Sequence, residues 1–135
     1  MPGTFHLSLL TPQRSLLETE VESIVAPGSE GYLGILAHHA PLITALQPGR
    51  LEIRDAAREE QVFAVSGGFL EVSNNRATVL ADAVERPDEI DVARAERALE
   101  RARERKKDLS GAVDAARAEA ALRRAVNRIR VARER

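Results

Sequence analysis

The amino-acid composition changes abruptly near residue 87, and this change limits the folds open to the chain. All three phenylalanines and the single tyrosine lie before Asp88, whereas the segment from Asp88 to the C-terminus has no aromatic residue and only one glycine, Gly111. Aromatic residues favour strands and glycines favour turns, whereas an alanine-rich segment poor in both favours helices. The segment Ile90–Ala95 lies at this boundary, so we expect short strands before it and charged helices after it.

Length and composition exclude several classes of protein. With 135 residues the chain has room for one compact domain and an appended element. No apolar run approaches the roughly 18 residues of a membrane span, and no signal peptide is visible, which predicts an intracellular protein. The absence of cysteine excludes disulfides, thiol catalysis and thiolate metal sites. Aromatic residues make up 3% of the chain, so we expect an aliphatic core.

The net charge of −1 conceals two oppositely charged parts. Residues 1–87 carry six arginines and eleven carboxylates, a net charge of −5, whereas residues 88–135 carry fourteen lysines or arginines and ten carboxylates, a net charge of +4. Such a basic tail could dock on its own acidic body, on an acidic protein partner or on a phosphate-bearing ligand.

Residues 1–86 have the pattern of a small all-β domain. In Phe5–Leu9 apolar and polar residues alternate, which is typical of a strand with one buried face. The carboxylates in Glu18–Val25 suggest an exposed or edge strand, and Gly67–Gly68 suggests a bulge or a close backbone approach. Turns are expected at Pro27–Gly28, Pro48–Gly49 and Asn74–Asn75. Seven to nine short strands with such turn signals predict an antiparallel β-sandwich or flattened barrel.

Residues 87–135 have the pattern of an antiparallel helical hairpin. Pro87 suits a first helical turn, and this helix is expected to reach about Asp108. Leu109–Gly111 breaks the pattern, and a second helix is expected from Ala112 to about Ala132. The facing stripes are rich in alanine, which buries little apolar surface, so the two helices should hold each other weakly. The hairpin is therefore predicted to be a movable arm.

Arginines on the two helices form the most specific candidate site. Arg94 and Arg101 share a face of the first helix, and Arg124 and Arg128 share a face of the second, so a closed hairpin could direct four guanidinium groups at one anion. Glu85 and Asp91 could accept hydrogen bonds from a ribose or from the amino group of adenine. The alternative is that these arginines are solvated and paired with carboxylates of the same helices, which are Glu96, Glu100, Glu104 and Glu119.

The other candidate motifs do not indicate a catalytic, metal or nucleic-acid site. His38–His39 is expected to be a structural loop, because the chain has only one further histidine, His6. Ser66–Gly68 leads into a strand and lacks the features of a nucleophile elbow. The basic run Arg103–Lys107 lacks interleaved aromatic residues, so a solvated helix end or an acidic protein contact is expected instead of nucleic acid. We therefore expect no catalytic set, no metal site and no nucleic-acid partner.

Three motifs, in order along the chain, resemble the epsilon subunit of bacterial F-type ATP synthase. They are EGYLGILAHHAPLITAL at 30–46, SGGFLEV at 66–72 and TVLAD at 78–82. The two-helix tail is similar as well. One departure is His38, where relatives often have glycine, and a second is the loop Leu109–Val113.

The resemblance implies a non-catalytic rotor subunit. Its β-sandwich would bind the gamma subunit and the c-ring, and its helices would extend toward the alpha and beta catalytic subunits and inhibit ATP hydrolysis. It would lie peripherally on the cytoplasmic side of the membrane, without inserting into it. The alternative is a constitutive structural coupler whose hairpin binds no nucleotide.

Some family members bind ATP in the folded hairpin through an Ile/Leu-Asp-x-x-Arg-Ala motif. Ile90, Asp91, Arg94 and Ala95 match this motif, and Glu85, Arg101, Arg124 and Arg128 resemble the other contributors by position. No cofactor is required by this resemblance. ATP would be a regulatory ligand, and whether magnesium accompanies it is left open.

Overall fold

The computed structural model describes residues 3–107 and 112–134, which divide into two compact units between Glu85 and Arg86. The first unit consists of seven strands, and the second contains a short 3-10 turn, Pro87–Glu89, and two helices. The elements are β1 Phe5–Leu10, β2 Ser15–Gly28, β3 Gly31–Leu36, β4 Leu42–Asp55, β5 Glu60–Ser73, β6 Arg76–Ala81, β7 Val84–Glu85, α1 Val92–Lys107 and α2 Ala112–Arg133. The predicted architecture, a β-sandwich followed by a helical hairpin, is confirmed.

The strands form a closed, mostly antiparallel arrangement. Their order is β1-β6-β5-β4-β2-β3, β1 also pairs with β2, and β7 pairs with β5. The pair β1–β6 is parallel. Alternation in β1 buries Phe5, Leu7 and Leu9, as the period-two pattern predicted. The core between the layers is largely aliphatic, with Phe5 and Phe63 as its aromatic members.

Three strands of 14 residues each pass from one layer of the sandwich to the other. The first part of β2 pairs with β1, and its last part pairs with β3 and β4, with register shifts between Val21 and Ser23 and between Val25 and Gly28. Such irregularities allow one strand to serve two sheets. The prediction of an exposed or edge strand at Glu18–Val25 is confirmed in part. Glu18 and Glu20 are exposed, and Glu18–Glu20 pairs with β1 alone. The edge interpretation is wrong for Ser23–Val25, which lies between β3 and β4.

The predicted turn at Pro48–Gly49 is also wrong, because β4 continues through both residues. A side chain at Gly49 would lie 2.8 Å from Cγ of Pro27 and 2.9 Å from the hydroxyl of Tyr32. Glycine thus permits a close approach of β2 and β3 to the bend of β4. Similarly, Pro27 and Gly28 end β2, and the turn consists of the two residues that follow them.

Two other glycine and asparagine signals were predicted correctly. Gly68 has φ of +129°, and a side chain there would lie 2.8 Å from Cα of Ala81, so the backbones of β5 and β6 approach closely. Asn74 and Asn75 have φ of +50° and +58° and form the two-residue loop between the same strands. Positive φ at both central residues is the requirement of a type I′ turn.

The helical unit begins differently from the prediction. Pro87 starts the 3-10 turn, Ile90 is extended, and α1 begins only at Val92. The interruption occurs because Asp91 acts as the N-cap of α1 and so adopts a non-helical position. The predicted end of this helix at Asp108 and the break at Leu109–Gly111 lie outside the described residues.

The two helices pack as an antiparallel hairpin, as predicted. Arg133 near the end of α2 contacts Glu96 near the start of α1, and Lys106 near the end of α1 contacts Glu119 in the first half of α2. Within the described residues, neither helix has a stretch long and apolar enough to cross a membrane.

Candidate functional site

The segment Ile90–Ala95 joins the 3-10 turn to α1, and most of its residues have a structural role. Oδ1 of Asp91 accepts a hydrogen bond from the backbone N–H of Arg94 at 3.0 Å, and its carbonyl accepts one from Ala95 at 3.0 Å. Ile90 is buried, and Ala95 is completely buried. In this segment Asp91, Ala93 and Arg94 are exposed, and Asp91 and Arg94 are the two with polar side chains.

Alanine lines the interface between the two helices. Ala95 and Ala102 in α1 and Ala118 and Ala125 in α2 are each at most 2% exposed. A buried methyl group contributes less than half the apolar surface of a leucine side chain, so this interface is close but weak. The prediction of alanine-rich facing stripes is confirmed.

Ion pairs join the two helices near both ends of the hairpin. Nη2 of Arg133 lies 2.6 Å from Oε1 of Glu96, and Nζ of Lys106 lies 2.6 Å from Oε2 of Glu119. The hydrogen bond from Lys106 lowers the pKa of the Glu119 carboxyl below its ordinary value. All four side chains are substantially solvated, so each pair contributes little to closure of the hairpin.

The four predicted arginines lie on one side of this hairpin. Helical spacing places Arg94 and Arg101 on the same side of the Ala95–Ala102 stripe, and it places Arg124 and Arg128 on the corresponding side of α2. The two interhelical ion pairs set Arg101 level with the turn of α2 that contains Arg124 and Arg128. Arg94 lies two helical turns from Arg101, about 10 Å along the axis. This spacing suits an elongated anion better than a single phosphate.

Three of the four carboxylates named as possible partners of these arginines bind other cations. Glu96 pairs with Arg133, Glu119 pairs with Lys106, and Glu100 lies 3.8 Å from Arg103. Within residues 3–107 and 112–134, no ion pair engages the exposed guanidinium groups of Arg94, Arg101 and Arg124. Arg128 is half-buried and interacts with other groups of the chain, as does Glu85, which belongs to β7 of the other compact unit.

The opposite side of the hairpin carries a shallow groove of about 340 Å³. It was not predicted from the sequence, although Val126 and Ile129 in α2 have helical spacing. The groove is lined by Leu99, Arg103, Val126, Ile129, Arg130, Arg133 and Glu134. Because Arg101 and Arg103 lie on different sides of the hairpin, they form a matched pair for mutagenesis.

An exposed apolar stripe on the sandwich is a second candidate surface that sequence analysis missed. Ile43 is 74% exposed, Phe69 58% and Leu80 45%. Strand register places Leu80 beside both Leu10 and Phe69, and Phe69 beside Ala45, so the stripe crosses β1, β6, β5 and β4. Clustered apolar side chains of this kind are typical of a protein interface. The available signal was the presence of apolar residues at outward positions of neighbouring strands.

The remaining motifs have structural surroundings. His38 has φ of +63°, and its backbone N–H donates to Oδ1 of Asn75 at 2.7 Å. The amide of Asn75 also donates to the carbonyl of Thr4 at 2.9 Å, so this side chain holds the loop after β3 against the start of β1. Among the described residues, no cluster of side chains is suited to a metal ion.

Known families match both units. A model described as the beta-sandwich domain of the ATP synthase delta/epsilon chain matches residues 4–87, and one described as its long alpha-helix domain matches residues 88–133. The ATP synthase epsilon chain of Desulforamulus reducens is 47% identical over 132 residues, covering 98% of this chain and 99% of that relative. The epsilon chain of Carboxydothermus hydrogenoformans is 52% identical over 105 residues, covering 78% of each.

Solved structures share the fold. A chain in the Euglena gracilis mitochondrial ATP synthase, solved as OSCP/F1/c-ring, has a TM-score of 0.82 and 26% identity, covering 94% of this chain and 80% of that chain. A chain in the central stalk/c-ring structure of Tetrahymena thermophila mitochondrial ATP synthase has a TM-score of 0.75 and 18% identity, covering 97% and 98%.

Proposed function

The chain belongs to the ATP synthase delta/epsilon family as a non-catalytic epsilon subunit of the central stalk, and we propose that its helical hairpin senses ATP and restrains ATP hydrolysis. The observation that carries this proposal is the combination of a weak alanine interface with exposed arginines on one side of the closed hairpin. A ligand that binds only the closed form needs to supply a few kcal/mol to shift such an equilibrium.

ATP fits the arginine side of the hairpin in length and charge. Its triphosphate offers oxygen acceptors over several ångströms, and arginine binds phosphate oxygens through paired N–H groups. We assign the phosphates to Arg101, Arg124 and Arg128, and the more distant end of the ligand to Asp91 and Arg94. Glu85 remains a predicted contributor, and magnesium is a variable of the experiment.

Calorimetric titration with ATP, with and without magnesium, tests the nucleotide site. Arg101→Ala is expected to weaken binding about 10- to 150-fold, because a hydrogen bond to a charged group contributes about 1.5–3 kcal/mol. Arg103→Ala, two residues away on the groove side, is the matched control and should bind as the parent chain does. Absence of binding at millimolar ATP, or equal loss in both variants, would support the constitutive coupler instead.

The arm function is tested in the assembled enzyme. A chain that ends at Glu85 is expected to join the rotor but to leave ATP hydrolysis uninhibited, because it lacks the basic helices that would contact the alpha and beta subunits. If the shortened chain fails to join the rotor, the proposed division of labour between sandwich and hairpin is wrong.

We assign contact with the gamma subunit to the apolar stripe of the sandwich, and contact with the c-ring to the same unit. This arrangement would place the protein peripherally at the cytoplasmic side of the membrane. Ile43→Lys introduces a charge into the stripe at a solvent-exposed position, and we expect at least about tenfold weaker binding to gamma. The measurement is titration of gamma with the full chain. Unchanged affinity would move the interface elsewhere.

A further inference from the structure

Lys106 and Lys107, at the end of α1, are the only two lysines among the 20 basic residues of the chain, and the others are arginines. A guanidinium group stays protonated in proteins, whereas the amine of lysine can lose its proton and act as a nucleophile. Chemistry that requires a side-chain amine is therefore confined to the hairpin and cannot occur on the sandwich.

The two lysines have different surroundings. Nζ of Lys106 lies 2.6 Å from Oε2 of Glu119 in α2, so this lysine joins the two helices. The side chain of Lys106 is still 52% exposed, which leaves it within reach of a reagent. Lys107 is also exposed, and it is rotated from Lys106 by about 100° around the axis of α1. The neighbouring lysines thus provide one amine that bridges the helices and one for comparison.

Glu119 depends on the positive charge of Lys106. Oε2 of Glu119 is itself shielded from solvent, although the side chain as a whole is 45% exposed. Lys106 is the main cause of the lowered pKa of this carboxyl group, and the charge of Arg123 contributes less. Neutralising Lys106 would leave a shielded carboxylate oxygen without the cation beside it, which is unfavourable. The closed hairpin should therefore be sensitive to modification of this one amine.

We propose that Lys106 is an acylation site whose modification opens the hairpin, with an acyl thioester as the donor. Nζ, as a neutral amine, attacks the carbonyl carbon of the thioester. The N–C bond forms and the C–S bond breaks, the sulfur leaves with the electron pair of that bond, and the proton lost by nitrogen goes to the thiolate. Nothing is oxidised or reduced. The product is an uncharged amide, which cannot form an ion pair with Glu119.

The same ion pair makes the reaction depend on the position of the arm. An ammonium group held against Glu119 has no lone pair for the attack, so the amine must leave this contact before it can reach the thioester. Lys106 should therefore react mainly in the open hairpin, and the amide then disfavours closure. Acylation would thus retain the arm in its open form. This proposal rests on the weak closure of the hairpin in the proposed function, but not on the nucleotide site.

Reaction of the full chain with acetyl-coenzyme A at mildly alkaline pH, followed by mass spectrometry of its peptides, tests the protection of Lys106. In the parent chain we expect acetylation of Lys106 to be about two- to fivefold slower than that of Lys107, as the strength of a solvated ion pair implies. In Glu119→Gln the two rates should become equal. Equal rates in the parent chain, or the same ratio in both chains, would overturn the proposal.

A distance measurement tests the effect on the hairpin. Nitroxide labels at Arg97→Cys and Arg130→Cys report opening by pulsed electron paramagnetic resonance. Lys107→Arg keeps only the amine of Lys106, and Lys106→Arg keeps only that of Lys107, while other amines are common to both variants. Acetylation should raise the open-to-closed ratio about two- to fivefold in Lys107→Arg and leave it unchanged in Lys106→Arg. An equal response of the two variants would contradict the assignment to Lys106.

Ala102→Leu is the positive control, because it opens the hairpin by overpacking and without a change of charge. If Ala102→Leu opens the hairpin and acetylation of Lys107→Arg does not, the acylation site is wrong and the movable arm of the proposed function is retained. If neither opens it, the movable arm is wrong as well. The nucleotide site is decided separately, by the calorimetric titration with ATP.

Discussion

Replacing Ala102 by leucine is expected to open the helical hairpin. Ala102 is 2% exposed in the alanine interface, so the three added carbon atoms have no unoccupied space. Overpacking of a buried site costs about 1–3 kcal/mol. The opening equilibrium should therefore increase about 5- to 150-fold.

The absence of cysteine permits a direct measurement of opening. Nitroxide labels on Arg97→Cys and Arg130→Cys, both exposed and near the same end of the hairpin, report the distance between α1 and α2 by pulsed electron paramagnetic resonance. Arg105→Leu, which adds leucine at an exposed position of α1, is the control and should keep the parent distance. An unchanged distance in Ala102→Leu, or a hairpin that melts at a higher temperature, would refute the weak-interface argument.

Three further predictions concern stability. Gly68→Ala should lower the unfolding free energy by about 2 kcal/mol or more, because φ is positive and the added carbon atom meets the backbone of β6. Gly34→Ala is the control, because an added carbon atom there meets no atom within 4 Å. In the same urea titration it should change the unfolding free energy by less than about 0.5 kcal/mol. His38→Gly should raise the unfolding free energy by about 0.5–1 kcal/mol, because φ of +63° is unfavourable for histidine and the hydrogen bond from the backbone N–H to Asn75 is retained. The measurement is the urea midpoint, and a lower midpoint would contradict this reasoning. The hydrogen bond from Lys106 lowers the pKa of Glu119 in the folded chain. The contribution of this carboxylate to hairpin closure should therefore be present above its unfolded pKa and lost as pH falls through the lower folded pKa. In Glu119→Gln the distance between the two labels should lose this part of its pH dependence.

Local sequence patterns determined the two-part architecture. Alternation in β1, the asparagine pair before β6 and the alanine spacing in the helices each depend on neighbouring residues, so their periods indicate strand, turn and helix without knowledge of the rest of the chain. The same spacing placed Arg94 with Arg101 and Arg124 with Arg128.

Only the tertiary structure decided features that depend on distant residues. Gly49 continues β4 because Pro27 and Tyr32 lie against it, and no signal near Pro48 reports that contact. The partners of the hairpin carboxylates were likewise decided by the register of two helices, in which Arg133 reaches Glu96, 37 positions away.

The position of β3 at the end of the sheet and the exposed stripe around Phe69 also follow from strand order. The stripe is exposed because its outward face lacks a neighbouring layer. Composition therefore determined which elements form. Packing between elements decided which of their surfaces remain available to a partner.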